Sequence, residues 1–248
     1  MEAEDNAMTH ARRPALAALA LALALALLAG LPACAAPSAG PTSGNTPTLT
    51  PDAQSSATRS RFRVGEVTDY QGKNLDPAIG PSDNSIGGVQ RIDIGPYRLL
   101  VDGDVADPQS FTYEQVRALD PVELLLTLHC VTGWDATILW KGVRLADLID
   151  RAKPGDRAVT VIFTGVDTYT TSLPLSVVRE KDLILAYGAN GLDLPPELGY
   201  PFIVVAEDKL GYKWARWVTK ITLSDDPDYM GYWESRGYDN DADVTKTP

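Results

Sequence analysis

The run Val122-Glu123-Leu124-Leu125-Leu126-Thr127-Leu128-His129-Cys130 opens into Val131-Thr132-Gly133-Trp134 near the middle of the 248-residue chain. A long apolar run of this kind predicts a buried strand over 122–130. Gly133, with no Cβ, lets backbone or a bound group approach closely. Cys130 is therefore expected at a strand end facing a loop, a good place to meet a bound group.

Outward from this run, the pattern is mostly β. Tyr97 to Val101 is β-rich and meets the turn signal Asp102-Gly103. Thr112 stands three residues before Gln115, a capping-box spacing that predicts a short helix through about Leu119. Leu145 to Ala152 has an amphipathic helical pattern that stops ahead of Pro154-Gly155. Val159 to Thr164 predicts a strand, as does Asp182 to Tyr187, which leads to the hairpin pair Asn190-Gly191. Phe202 to Ala206 and Trp217 to Leu223 complete the β content. Residues 225–248 are acidic and tyrosine-rich with little periodicity, and there is no internal repeat. Many strands with few, short helices predict a mixed α+β domain. It is expected to span 91–248 and to end in an acidic tail.

The first 34 residues have another character. Arg12 and Arg13 precede an apolar run from Ala15 to Leu31, mostly Leu and Ala, which ends in Leu31-Pro32-Ala33-Cys34. A short apolar run with a basic start and small residues at its end predicts a signal peptide, not a membrane span. Leu-Pro-Ala-Cys resembles a bacterial lipobox, with Cys34 as the lipidated residue. Export to the periplasmic side of the cell envelope, with a membrane anchor through Cys34, is expected. Residues 35–60 are rich in Ala, Pro, Ser, Thr and Gly and bury too little surface to offset their ordering entropy. The stretch 35–90 is expected to be a flexible tether and an irregular lead-in.

Charge and residue scarcity exclude several functions. The formal net charge is −11. Residues 1–34 carry Glu2, Glu4 and Asp5 against Arg12 and Arg13, a net −1, which leaves −10 for the rest. An acidic domain repels phosphate backbones, so nucleic acid is not an expected partner. After signal removal the chain holds one histidine, His129, and besides Cys34 one cysteine, Cys130. That is too few for a structural zinc site, which takes about four Cys or His ligands, and one thiol cannot close a disulfide within the domain. In a strand, His129 and Cys130 point to opposite faces, so a catalytic dyad of the two is a poor reading. A thiolate can still serve a soft or high-valent metal whose other ligands come from a cofactor. The competing reading from the residues is a buried cysteine acting as a small hydrophobe.

Leu128-His129-Cys130-Val131-Thr132-Gly133-Trp134 resembles the cysteine loop of the sulfite-oxidase family of molybdopterin-binding domains. Further segments match in the same order. Upstream lie Val101-Asp102-Gly103-Asp104-Val105, Pro108 and Phe111-Thr112-Tyr113. Downstream lie Trp140 to Leu145, Asp147-Leu148, Tyr169 with Ser172 to Leu175, and Asn190-Gly191. The last matches are Gly211 to Val218 and Gly231-Tyr232-Trp233-Glu234. The resemblance covers about 92–238, and its specificity lies in the ordered combination.

The resemblance implies an α+β domain of mixed β-sheets and short helices that binds molybdopterin. It implies a molybdenum-cofactor oxidoreductase catalysing oxygen-atom transfer, or a related two-electron redox step, on a small molecule. The Cys130 thiolate would ligate the metal, the catalytic role, and His129, Thr132 and Gly133 would stand against the cofactor. Lys213 and Arg216 would hold its phosphate, because a buried cation among Tyr212, Trp214 and Trp217 needs an anion. Trp214 and Trp217 are expected in the core, and Lys209 and Lys220 on the surface. Asp167 and Tyr169 would line the substrate pocket. Lys141, Arg144 and Arg179 read as exposed charges, and Asp135 would disfavour an anionic substrate if it faced the metal. Electrons would pass to a separate cytochrome or quinone-linked partner, because no Cys-x-x-Cys-His for haem is present. Larger sulfite oxidases carry a His-Gly and a following Arg where this chain has Leu198-Gly199-Tyr200-Pro201-Phe202-Ile203. Their immunoglobulin-like dimerisation domain is not expected here, as in the small stand-alone members. The departures make a non-catalytic binding module on the same fold the alternative expectation.

Overall fold

Thr50, the first of the described residues, caps a helix. The computed structural model describes residues 50–246, so the expected signal segment, Cys34 and residues 35–49 lie outside the described residues. In helix α1 (Pro51–Gly65) the Thr50 hydroxyl accepts from the Ala53 N–H at 3.3 Å, and Pro51 takes the first turn, where a missing N–H costs nothing. Phe62 on this helix is buried in the core, and Glu66 just beyond it accepts from the Ala78 N–H at 2.7 Å. Residues 51–65, expected to belong to the tether and the irregular lead-in, are therefore helical. A cap, a proline at the start and one buried aromatic outweigh a composition poor in large apolar residues.

A small hairpin of β1 (Asp69–Tyr70) and β2 (Lys73–Asn74) follows, and the chain then runs without regular structure to β3 (Leu99–Gly103). The remaining elements come in quick succession. They are β4 (Gln109–Phe111), α2 (Tyr113–Arg117), β5 (Val122–His129), β6 (Asp135–Arg144) and α3 (Leu145–Arg151). After these come β7 (Thr160–Gly165), β8 (Thr170–Pro174), α4 (Leu175–Glu180), β9 (Ile184–Ala189), β10 (Leu192–Asp193), β11 (Ile203–Val205) and β12 (Val218–Ser224). One sheet has the order β10-β9-β6-β5, with β11 also on β9, and every pairing in it is antiparallel. The other has the order β4-β3-β12-β7-β8, in which only β3 and β12 run parallel. This is the expected α+β architecture of mixed sheets and short helices.

Local chemistry explains the elements. At α2 both halves of the capping box are made: Gln115 N–H donates to the Thr112 hydroxyl at 3.2 Å, and Thr112 N–H donates to Gln115 Oε1 at 2.7 Å. The helix ends at Arg117, short of Leu119. Asn190 and Gly191 join β9 to β10 with positive φ at both positions, as a two-residue hairpin turn demands. Gly142 sits at a register shift where a Cβ would lie 2.3 Å from the Leu185 carbonyl oxygen, so only glycine lets β6 and β9 pair there.

Three strand expectations are corrected. β5 is an edge strand with half-buried side chains rather than a buried one, because only β6 pairs with it. Cys130 falls one residue past its end. Asp102-Gly103 are the last two residues of β3 rather than the turn itself: the chain reverses over residues 104–108 into the antiparallel β4, and Gly103 lies against Leu223 of β12. The strand expected at Asp182 to Tyr187 begins at Ile184 and runs through Ala189, all six residues buried. The core lies between and around the sheets, with Leu99, Trp140, Phe163, Phe202, Val204 and Ile221 all essentially sealed from water. Each such side chain contributes about 1.5–3 kcal/mol relative to an exposed position.

Candidate functional site

The β5–β6 hairpin pairs His129 with Asp135, so residues 130–134 form its connecting loop. Cys130 N–H donates to the Trp134 carbonyl at 2.9 Å, and Gly133 N–H donates to the Cys130 carbonyl at 3.0 Å. Gly133 has φ +86°, a backbone region that side chains other than glycine rarely enter. This tight loop presents the Cys130 sulfur. Asn84 Nδ2 donates to Sγ at 3.3 Å, and the Thr132 hydroxyl lies 3.2 Å from it.

The sulfur opens into a cleft of about 370 Å³, within the roughly 300–1,000 Å³ usual for small-ligand and cofactor sites. Its walls include Ser55 and Arg59 of α1, Gly80 and Ser82 to Ile86, the cysteine loop with Trp134, Asp167 and Tyr169 of the β7–β8 turn, Glu197 with Leu198, and Tyr212, Trp214, Arg216 and Trp217. The acidic tail supplies Trp233 and Tyr238 as well. That tail lacks long elements but is firmly attached. Tyr212 Oη donates to the Asp239 carbonyl at 2.7 Å, and Ala242 is fully buried.

The expected site residues divide into two groups. Cys130, Thr132, Asp167, Tyr169 and Arg216 all line the cleft. Asp167 Oδ1 accepts from the Tyr169 N–H at 3.2 Å, and the Tyr169 hydroxyl donates to the Tyr212 carbonyl. Burial, with Glu234 and Asp167 nearby, pushes the Tyr169 phenol far above its usual range, so it stays protonated. Arg216 Nη1 donates to the Glu197 carbonyl at 3.0 Å, Nη2 pairs with Asp83 at 2.9 Å, and the guanidinium lies 4.4 Å from the Trp217 ring centre. Burial would raise Asp83, but Arg216 and hydrogen bonds with Ser85 outweigh it and hold that carboxyl below its usual value. Gly199, at φ +112°, packs against the Arg216 side chain; a Cβ there would lie 3.0 Å from Arg216 Cβ. Gly199 thus backs directly onto the stem of this arginine.

His129, Gly133 and Lys213 are not among the cleft-lining residues. His129 Nδ1 bonds Asp135 Oδ1 at 2.8 Å across the hairpin, so Asp135 is engaged by the imidazole and does not line the cleft either. Lys213 is wholly buried. Its three ammonium hydrogens are taken by Glu234 Oε1 at 2.6 Å, the Ser172 carbonyl at 3.0 Å and Asn240 Oδ1 at 3.0 Å. Desolvation outweighs the Glu234 attraction and lowers its pKa. The anion this cation needs is an internal carboxylate, and no donor is left for a phosphate in this arrangement. Lys209, expected on the surface, is likewise buried, bonded to the Asp241 carbonyl and Asp243. Lys141, Arg144 and Arg179 form exposed pairs with Glu123, Asp182 and Asp150, away from the cleft. Trp214 and Trp217 are buried as expected, each also with an edge on the cleft.

Sequence reasoning missed Asn84, Asp83, Glu197, Trp233, Tyr238 and the whole of α1. For α1 a signal was present: Thr50-Pro51 ahead of a glycine-free run is a helix start. Asn84 lies in a Gly/Ser/Pro-rich loop that carries no local signal.

Among the described residues, no three His, Cys, Asp or Glu side chains gather closely enough to hold a metal ion. A metal beside Cys130 would have to arrive in a cofactor that brings most of its own donors. The cleft fits such a group: its size suits a bicyclic or tricyclic ligand, Trp134, Tyr169 and Tyr212 offer flat apolar walls, and one soft sulfur faces inward.

Comparisons with known proteins agree with this. The family described as oxidoreductase molybdopterin binding domain matches residues 86–233. The chain is 34% identical over 147 residues to the uncharacterized oxidoreductase YuiH of Bacillus subtilis, a match covering 59% of this chain and 74% of that protein. It is 30% identical over 151 residues to a putative protein-methionine-sulfoxide reductase subunit, YedZ1, of Azospira oryzae, covering 60% of this chain and 57% of that one. Its fold is similar to the crystal structure of the sulfane dehydrogenase SoxCD of Paracoccus pantotrophus, with a TM-score of 0.54 and 24% identity over 56% of this chain and 41% of that chain.

Proposed function

The chain belongs to the family of oxidoreductase molybdopterin-binding domains, and from that membership we propose that it works on a small molecule at a molybdenum held by the Cys130 thiolate. The observation that carries this reading is the Cys130 sulfur, presented by a tight hairpin loop into a cofactor-sized cleft. When bound, the cofactor supplies oxygen-atom transfer or a related two-electron exchange. The chain's own residues orient and insulate. Asn84 and the Thr132 hydroxyl flank the sulfur and fix its position, and a donor to a thiolate tunes its basicity. Trp134, Tyr212, Trp233 and Tyr238 keep bulk water off one side of the cleft. Tyr169, protonated and bonded to the Tyr212 carbonyl, holds a hydroxyl at the wall.

The aromatic lining favours an uncharged substrate over a dianion such as sulfite. Asp83, Asp167 and Glu197 add to that preference. A neutral S-oxide is the substrate class best matched, and the Azospira relative's name points the same way. Electrons would come singly from a separate carrier protein.

The test is metal analysis of protein made in a cofactor-competent host. About one molybdenum per chain is expected, falling to near zero in Cys130→Ser. Wild type without molybdenum rejects the proposal, and a fully loaded, active Cys130→Ser rejects the ligand role. Full loading with no turnover of sulfoxides or sulfite under any artificial donor or acceptor would favour the alternative of a non-catalytic binding module.

Export and lipidation at Cys34 complete the proposal, supported by Arg12, Arg13 and the Ala15 to Leu31 run. Labelled fatty acid should enter the full-length chain and not Cys34→Ala. Equal labelling of both would remove the anchor.

A further inference from the structure

Of the two arginines among the residues lining the cleft, Arg59 is the one with a guanidinium nitrogen that is hidden from water and has no partner. It reaches from α1 into the cleft wall, one turn before the buried anchor Phe62. Ser55, four residues earlier on the same helix face, also lines the cleft. Of the five N–H donors of a guanidinium, one from Nη1 reaches the Pro81 carbonyl at 3.3 Å. Nε is shielded from water and has no partner. The cleft's carboxylates are engaged elsewhere: Asp83 by Arg216 and Ser85, Asp167 by the Tyr169 N–H, and Glu197 Oε1 by Arg91. Arg216 is already divided between Asp83 and the Glu197 carbonyl, and Lys213 is sealed behind Glu234.

An unbonded guanidinium donor hidden from water costs free energy until an acceptor arrives. The natural acceptor for a planar fork of charged donors is a tetrahedral oxyanion. The Pro81 carbonyl that Arg59 grips is three residues from Asn84, which touches the Cys130 sulfur. The same short loop therefore touches both Arg59 and the Cys130 sulfur.

We propose that Arg59 is the oxyanion-binding residue of the cleft and takes the phosphate of the pterin cofactor, so that helix α1 clasps the bound group. This rests on the molybdopterin reading for the source of the oxyanion, but not for the anion site itself.

The test uses the full chain as wild type, Arg59→Gln and Arg59→Lys. Equal thermal unfolding of the three cofactor-free proteins serves as the folding control. Loaded Arg59→Gln should release its pterin, followed by fluorescence after dilution, about tenfold or more faster than wild type, with Arg59→Lys in between. In cofactor-free protein, inorganic pyrophosphate measured by calorimetry should bind wild type and be lost in Arg59→Gln. If pterin retention is unchanged while inhibition by sulfite or sulfate weakens about tenfold, the oxyanion is a free ligand rather than the cofactor's phosphate, and the clasp is wrong although the anion site stands. If retention, pyrophosphate binding and oxyanion inhibition are all the same in wild type and Arg59→Gln, the proposal is overturned. Wild type that carries no molybdenum rejects the molybdopterin reading alone, and the pyrophosphate comparison still decides Arg59.

Discussion

Cys130 and Lys213 were both candidates for touching a cofactor, and the molecule treats them in opposite ways. Cys130 is placed by its immediate neighbours: a strand end, a five-residue loop and a glycine with positive φ set the direction of its sulfur. Lys213 is placed by residues far along the chain. Ser172, Glu234 and Asn240 converge on its ammonium group and withdraw it from the cleft. Arg216, three residues on, remains at the cleft because Gly199 and Trp217 support its stem and Asp83 takes only part of its donor set. A position fixed within a dozen residues shows itself in sequence. A position fixed by partners 21 to 41 residues away, as Lys213 is, does not.

The comparison is most easily broken at Lys213. Replacing it with Met should cost about 3–5 kcal/mol in urea unfolding, because Glu234 would stay buried with its charge unopposed. Adding Glu234→Gln should recover much of that loss. A Lys213→Met protein that unfolds like wild type, but fails to load cofactor, would return this lysine to the ligand role.

A smaller effect is expected at a feature that was fully legible. Thr112→Ala removes one half of the capping box at α2 and should cost about 1 kcal/mol. Because α2 carries the buried Tyr113 and Val116, a loss of under about 0.3 kcal/mol would mean that tertiary packing, not the cap, holds this helix.

The smallest effect concerns Asp83. Its folded-state pKa lies below the ordinary carboxylate value, so its contribution is fully present above that value and is lost as pH falls through the folded pKa. Asp83→Asn should flatten the acid limb of stability below about pH 4 by under about 1 kcal/mol, since the pair is partly exposed. An unchanged acid limb would show that Arg216 does not depend on this partner.

The same division runs through the fold. The capping box at Thr112, the Asn190-Gly191 turn and the α3 pattern could be read directly because each is a local signal. β6 gave no such signal: its residues alternate poorly, and its long pairing with β5 and β9 exists only once both partners are in place. β5 looked buried because apolar content does not reveal how many neighbours a strand will have. The apolar run around Cys130 located the centre of the site. The aromatic wall from Trp233 and Tyr238 was invisible because a tail without periodicity carries no sign of where it folds back.

The parallel pairing of β3 with β12 joins residues 99–103 to residues 218–224. A sheet closed by strands so far apart in sequence cannot be completed until residue 224 has been made and has left the ribosome. The cleft shares this timing, for its walls run from Ser55 to Tyr238. The whole site for a bound group therefore exists only once residues from both extremes of this span have been made. Were the chain exported, as proposed from its N-terminal segment, a cofactor made inside the cell would have to be installed after the last of these walls is made and before the crossing.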